Sequence, residues 1–112
     1  MNNKIVSVVD LSEITKKNKS QGKKVVLCHG VFDLLHIGHI KHFQEAKSHG
    51  DILVVTVTPD KHVNKGPNRP AFTSNLRLEA IASLEVVDFV ALNEWPTAVE
   101  TISIIKPSIY FK

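Results

Sequence analysis

Two runs of the sequence, KVVLCH (24–29) and DILVVTVT (51–58), decide most of what this chain can become. Both are continuous β-branched and apolar stretches, so each reads as a strand buried on both faces. Between them, GHIKHFQEAKSHG (38–50) has helical spacing in Ile40, Phe43 and Ala46, with Gly50 as a candidate C-cap. The alternation then continues. SNLRLEAIASL (74–84) reads as a helix capped by Ser74, with Leu78, Ile81 and Leu84 on one face, and EVVDFVAL (85–92) as a third strand. TAVETISII (97–105) reads as a helix capped by Thr97 and ended by Pro107, and SIYF (108–111) starts a fourth strand. Upstream, Asp10 and Glu13 form a capping-box pattern that starts a short helix, with Gly22 just beyond its end. The stretch 59–72, PDKHVNKGPNRPAF, is a loop rich in proline.

Strands that are apolar throughout and alternate with helices predict an α/β fold. The expected architecture is a Rossmann-like parallel sheet with helices on both faces and right-handed crossovers. In such sheets ligands bind outside the carboxyl ends of the strands. The loop after the first strand, Gly30 to His39, and the loop after the second, with Lys65 and Arg69, therefore fall on one rim.

A length of 112 residues suits a single domain, residues 1–112, with residues 1–23 as an N-terminal helical extension. With 43% hydrophobic and 22% charged residues the chain has a globular rather than a disordered composition. No apolar run approaches the roughly 20 residues of a membrane span, and the apolar stretch in MNNKIVSVVD is too short for a signal peptide. The single cysteine, Cys28, excludes an internal disulfide framework and CxxC metal sites and reads as a buried, reduced thiol. The expectation is a cytoplasmic protein with no membrane partner. The formal charge of +3 is a mild bias, concentrated in KKNKSQGKK (16–24). That run has no interleaved aromatics, so no nucleic-acid partner is expected.

The chemistry lies in GVFDLLHIGH (30–39). Gly30 follows a strand and permits a tight turn or a close backbone approach. Gly38 stands near a helix start, where backbone N–H groups and the dipole favour an anion. His36 and His39, three apart, share one side of that start. Their N–H groups can donate to phosphate oxygens, more strongly if protonated. The combination suits a polyphosphate and the charge that builds on a phosphorus under attack.

Each residue also has a more ordinary reading. A histidine at a helix start is commonly a cap. His29, His36, His39 and His42 crowd one segment, but His36, His39 and His42 fan around a helix, and only Asp33 could complete a zinc set, so no protein-held metal is expected. His29, His42, His49 and His62 read as structural or surface residues. Asp33 could bind a cation or a sugar hydroxyl, or hold its own loop. Lys65 could be a solvated lysine; facing the histidine loop gives it weight. Arg77 either snorkels from its helix or binds phosphate near the helix N-terminus. Trp95 reads as a packing anchor.

The segment HGVFDLLHIGHIKHFQEAKSHGD resembles the signature of the cytidylyltransferase-like nucleotidyltransferases. That family includes the glycerol-3-phosphate and choline-phosphate cytidylyltransferases and the nucleotidyltransferase half of the bifunctional heptose enzyme. TPDKHVNKGPNRP is similar to the family loop that supplies a lysine, here Lys65. NLRLEAIASLEVVDFV is similar to its arginine-bearing helix and places Arg77; IKPSIYFK resembles the fourth strand, with Lys112 just after it. Class I aminoacyl-tRNA synthetases share the HxGH signal but are far longer and carry a second lysine-rich motif. Phosphopantetheine adenylyltransferases usually have threonine where His36 stands.

The resemblance implies that CTP or ATP, accompanied by Mg2+, lies across the rim. His36 and His39 would contact its phosphates, and Lys65 would neutralise their charge. Arg77 and Lys112 would help hold the nucleotide, with Gly30, Val31, Phe32, Asp33 and Gly38 lining the pocket. A phosphorylated acceptor, a sugar phosphate first among the candidates, would attack and pyrophosphate would leave. It also implies a homodimer. Two departures stand out. The family's C-terminal Ser/Thr-rich motif has no counterpart before Lys112, and SNLR lacks the acidic residue that often precedes the family arginine. The first leads to the expectation of a truncated domain and to an alternative function, a non-catalytic nucleotide-binding or dimerisation module.

Overall fold

The computed structural model describes residues 3–62 and 73–112. Helix α1 (Val8–Ser20) precedes strand β1 (Val25–Gly30), followed by α2 (Ile37–Ser48) and β2 (Ile52–Val57). After a 3-10 turn at Asp60–His62 come α3 (Ser74–Ala82), β3 (Phe89–Leu92), α4 (Val99–Ile105) and β4 (Ile109–Tyr110). The four strands form one parallel sheet in the order β3-β2-β1-β4. The register pairs Val25 with Ile52, Val54 with Phe89 and Val26 with Ile109.

The two apolar runs occupy the central strands, as their composition requires. Successive side chains point to opposite faces, so each run feeds two cores. Val26, Cys28, Leu53, Val55, Val57 and Val90 pack with Phe43 and Ala46 of α2 and with Leu78 and Ile81 of α3. Val25, Leu27, Val54 and Ala91 pack on the other face with Val8 and Leu11 of α1 and Ile105 of α4. The N-terminal extension also contributes an extended segment. Ile5 bridges Val90 in parallel, with Val6 N–H donating to the Val90 carbonyl and Val90 N–H to the Lys4 carbonyl.

Several element ends differ from the sequence reading. Helix α1 starts earlier than the Asp10/Glu13 pattern suggests: Ser7 is its N-cap, and the Ser7 hydroxyl accepts from Asp10 N–H at 3.1 Å. The reason is packing, since Val8 and Leu11 must both lie within the helix to reach the sheet. Helix α3 is capped by Thr73 rather than Ser74, and α4 starts after Ala98, with Thr97 Oγ1 accepting from Val99 N–H at 3.3 Å. Gly50 is not a left-handed C-cap; a Cβ there would stand 2.6 Å from Val26 Cγ2, so the glycine admits the edge of β1. The third strand is shorter than predicted because Glu85 and Val86 lie in a turn, and the Asp88 carboxylate accepts Leu53 N–H at 2.7 Å. Gly22 does follow the end of α1 at a φ of +81°.

Candidate functional site

The chain builds from β1 through β2 to β3 on one side, then returns through α4 to place β4 on the far side of β1. The helices that follow β1 and β3 lie on opposite faces. The strand order therefore reverses beside β1, and the carboxyl ends of β1 and β4 are where sheets of this kind bind ligands. The loop from Val31 to His36 lies at that point.

The turn out of β1 is built around Phe32 rather than Gly30. Phe32 has a φ of +50°, a left-handed conformation that a bulky residue rarely adopts. Gly30 is not left-handed; it is needed for space. A Cβ at Gly30 would lie 2.8 Å from Phe32 Cζ, so the phenyl ring folds back over the glycine. The ring packs edge-on against buried Phe43 at 5.0 Å and against His39 at 5.6 Å.

His36 is the N-cap of α2, and the ordinary reading of a helix-start histidine holds for it. Its Nδ1 accepts from Gly38 N–H at 3.0 Å, while His39 Nδ1 accepts from His36 N–H at 3.2 Å, a reciprocal capping box. Gly38 is required for this, because a Cβ there would stand 2.7 Å from His36 Cε1. The helix mouth thus differs from the simplest expectation, since the Gly38 amide is taken up by imidazole rather than left for an anion. The functional consequence is a fixed tautomer. With Nδ1 accepting in both rings, each neutral ring carries its proton on Nε2 as a donor. The two rings lie in contact, centroids 4.0 Å apart and tilted by 37°, so the mouth presents a pair of oriented imidazoles backed by a helix dipole.

Arg77 does not snorkel. Its head is fully buried: Nη1 donates to the Val31 carbonyl at 2.9 Å and the Thr58 carbonyl at 2.7 Å. Nη2 donates to Asp60 Oδ1 at 2.7 Å and Ser74 Oγ at 3.3 Å. The guanidinium thus joins the turn after β1 to the segment after β2. Some desolvation opposes it, but the bonds and charge of Arg77, with the bonds of Ser74, hold the Asp60 carboxyl below its ordinary range. Lys65 lies outside the described residues. Asp33 is buried in the β1 loop and engaged with a neighbouring group. Lys112 follows β4 on the same rim, its Nζ 5.7 Å from the Tyr110 ring.

His29, His42 and His49 each have a packing or hydrogen-bond partner away from the helix mouth. His29 Nδ1 lies 2.9 Å from Thr56 Oγ1, and burial pushes the imidazole below its ordinary pKa. His42 and His49 flank Phe111, with centroids at 5.0 and 5.3 Å. Cys28 is buried, and its thiol is pushed up to about 12 by loss of solvent. Trp95 packs against the α1/α4 core, as a packing anchor should. Two residues with rim roles were not singled out in the sequence. One is Asp60, the Arg77 partner. The other is Asn93, fully buried after β3, whose Nδ2 donates to the carbonyls of Trp95 at 2.6 Å and Thr97 at 2.9 Å. Asn93 could have been found as the polar residue that ends an apolar strand.

A parallel sheet with oriented imidazole donors at its switch point has the form of a Rossmann-like nucleotidyltransferase domain. The sequence profile of the cytidylyltransferase-like family matches residues 27–111, and the chain belongs to that family. It is 45% identical over 105 residues to the bifunctional protein HldE of Sulfurimonas denitrificans, covering 92% of this chain and 22% of that protein. It is 38% identical to the bifunctional protein HldE of Aliarcobacter butzleri, covering 99% of this chain and 24% of the relative. The chain therefore spans less than a quarter of these curated relatives. Among solved structures, the lipopolysaccharide core biosynthesis protein from Thermoplasma volcanium superposes with a TM-score of 0.73 at 39% identity, over 80% of this chain and 73% of that one. No helix among the described residues is long and apolar enough to cross a membrane.

Proposed function

We propose that this chain transfers a nucleotidyl group from CTP or ATP to a phosphorylated sugar or polyol and releases pyrophosphate. The observation that carries the proposal is the His36–His39 pair, two rings whose Nδ1 atoms accept from backbone amides, which puts the proton of each neutral ring on Nε2. An acceptor phosphate oxygen attacks the α-phosphorus. One P–O bond forms, the α–β P–O bond breaks, and pyrophosphate leaves. Charge grows on the α-phosphoryl oxygens and on the leaving group, and donors aimed there lower the barrier without a protein nucleophile. Lys65 is proposed to neutralise the triphosphate, and Lys112, Val31 and Asp33 to line its site. Arg77 serves the site through the loops it joins. Magnesium enters as part of the substrate, carried on the phosphates. The described residues hold no group of three His, Cys, Asp or Glu side chains placed as ligands, and a phosphate-borne ion needs none. The name of the Thermoplasma volcanium relative favours a sugar phosphate as acceptor. A homodimer is part of the proposal, and sedimentation velocity decides it.

The test is pyrophosphate release from CTP and from ATP, with magnesium and a panel of sugar phosphates, on the wild type and on His39→Ala. Loss of one transition-state donor predicts a fall of about 100- to 1,000-fold in kcat. Turnover that survives His39→Ala unchanged refutes the assignment. Nucleotide binding without turnover on any acceptor points instead to a non-catalytic nucleotide-binding module.

A further inference from the structure

Both catalytic imidazoles hang from one helix mouth, and each must hold a single tautomer and direction to present Nε2–H. The capping bonds fix Nδ1 but do not by themselves fix the loop that carries the cap. Two features next to the histidines supply that restraint. The first is the strained turn. Phe32 holds a left-handed φ of +50°, which persists only where its surroundings over-determine it. The second is Arg77, on another helix, whose fully buried head donates to the carbonyl of Val31, the residue just before that turn.

We infer that Arg77 and Phe32 form a clasp that positions the histidine pair, a role that rests on the nucleotidyl-transfer reading for its kinetic effect but not for its geometry. Arg77 fixes the Val31 carbonyl and the Thr58 carbonyl through one nitrogen, so the turns after β1 and β2 share an anchor. With Val31 held, the left-handed Phe32 directs its ring back over Gly30 and onto Phe43. The ring then meets His39 at 90° and blocks its rotation, and His39 lies in contact with His36. Restraint thus passes from a buried cation in α3 to the two donors in α2. Arg77 and Phe32 are positioning residues.

The test uses Phe32→Leu, Phe32→Tyr and Arg77→Lys in the full chain. Phe32→Leu keeps every polar partner and removes only the ring, so the inference stays testable if Arg77→Lys folds poorly. The first readout is imidazole nitrogen NMR of the nucleotide-free protein. The wild type is expected to show an unprotonated Nδ1 and a protonated Nε2 for both His36 and His39. Phe32→Leu is expected to mix the His39 tautomers, and Phe32→Tyr to restore the wild-type pattern. Arg77→Lys, which offers a point charge in place of a fork, is expected to mix them as well. The second readout is steady-state pyrophosphate release. There Phe32→Leu is expected to lower kcat by about 10- to 100-fold, as small misplacements of catalytic groups do, with KM for the nucleotide changed by less than about 3-fold. Wild-type tautomer patterns in both Phe32→Leu and Arg77→Lys overturn the inference. A mixed tautomer pattern in variants of a protein that turns over no nucleotide upholds the clasp and rejects the transferase reading alone.

Discussion

Replacing Gly38 by alanine separates the stability of this fold from the function of its site. An added Cβ would lie 2.7 Å from His36 Cε1 and 2.9 Å from His36 Nδ1. Both atoms belong to a side chain on an exposed residue, so the imidazole swings aside and the backbone stays in place. Two terms then oppose each other. Alanine in place of a helical glycine stabilises by up to about 1 kcal/mol. Loss of the His36 cap on Gly38 N–H costs about 1 kcal/mol. The net change falls within about 1 kcal/mol of zero, a shift of under about 5 °C in Tm for a domain this size. Activity does not cancel in this way. His36 leaves its donor position, and His39 loses the ring 4.0 Å from it. With one donor misplaced, kcat is expected to fall by about 100-fold or more. Thermal melts followed by circular dichroism, run beside pyrophosphate release, give both numbers. A Gly38→Ala protein with wild-type turnover refutes the reasoning, and so does a loss of several kcal/mol in stability, because that would mean the backbone moved.

Arg77→Met removes the partner of two carbonyls and one carboxylate and is expected to cost at least about 2 kcal/mol, read by urea denaturation. Burial holds His29 below its ordinary pKa, so the unfolded chain takes up its proton first as the pH falls. Stability is therefore level above the unfolded value of about 6.5 and declines as the pH drops below it. His29→Asn is expected to flatten that decline in melts between neutral and mildly acidic pH. Cys28, buried with its thiol pushed up to about 12, should resist iodoacetamide at pH 8 in the folded protein and react once urea unfolds it.

Arg77 shows how a site residue can be visible in sequence while its role is not. Arg77 is the first charge in a largely apolar helix, and both sequence readings place its head at a phosphate or in water. In the structure the head is sealed between two carbonyls and a carboxylate. Those partners come from segments well separated in sequence, and only the crossing of α3 beneath the β1 and β2 loops brings them together. Phe32 makes the same point. The alternation of apolar runs says that a turn follows β1, and the glycine at position 30 reads as its pivot. The pivot is instead the phenylalanine two residues later, because its ring can be buried over a residue that has no side chain.

What the sequence determined by itself is whatever depends on local periodicity and burial. The two apolar runs read as parallel strands buried on both faces, the helical stretches between them as the cover of those faces, and the rim carrying His36 and His39 followed. The tertiary structure alone decided the helix caps at Ser7 and Thr73 and the commitment of both Nδ1 atoms to backbone amides. It also decided the left-handed Phe32 and the closed guanidinium of Arg77. Periodicity reports which face of an element is buried. It does not report which of several nearby polar groups will satisfy a given amide or carbonyl, because that choice is made by distances between elements, and those exist only once the sheet has formed.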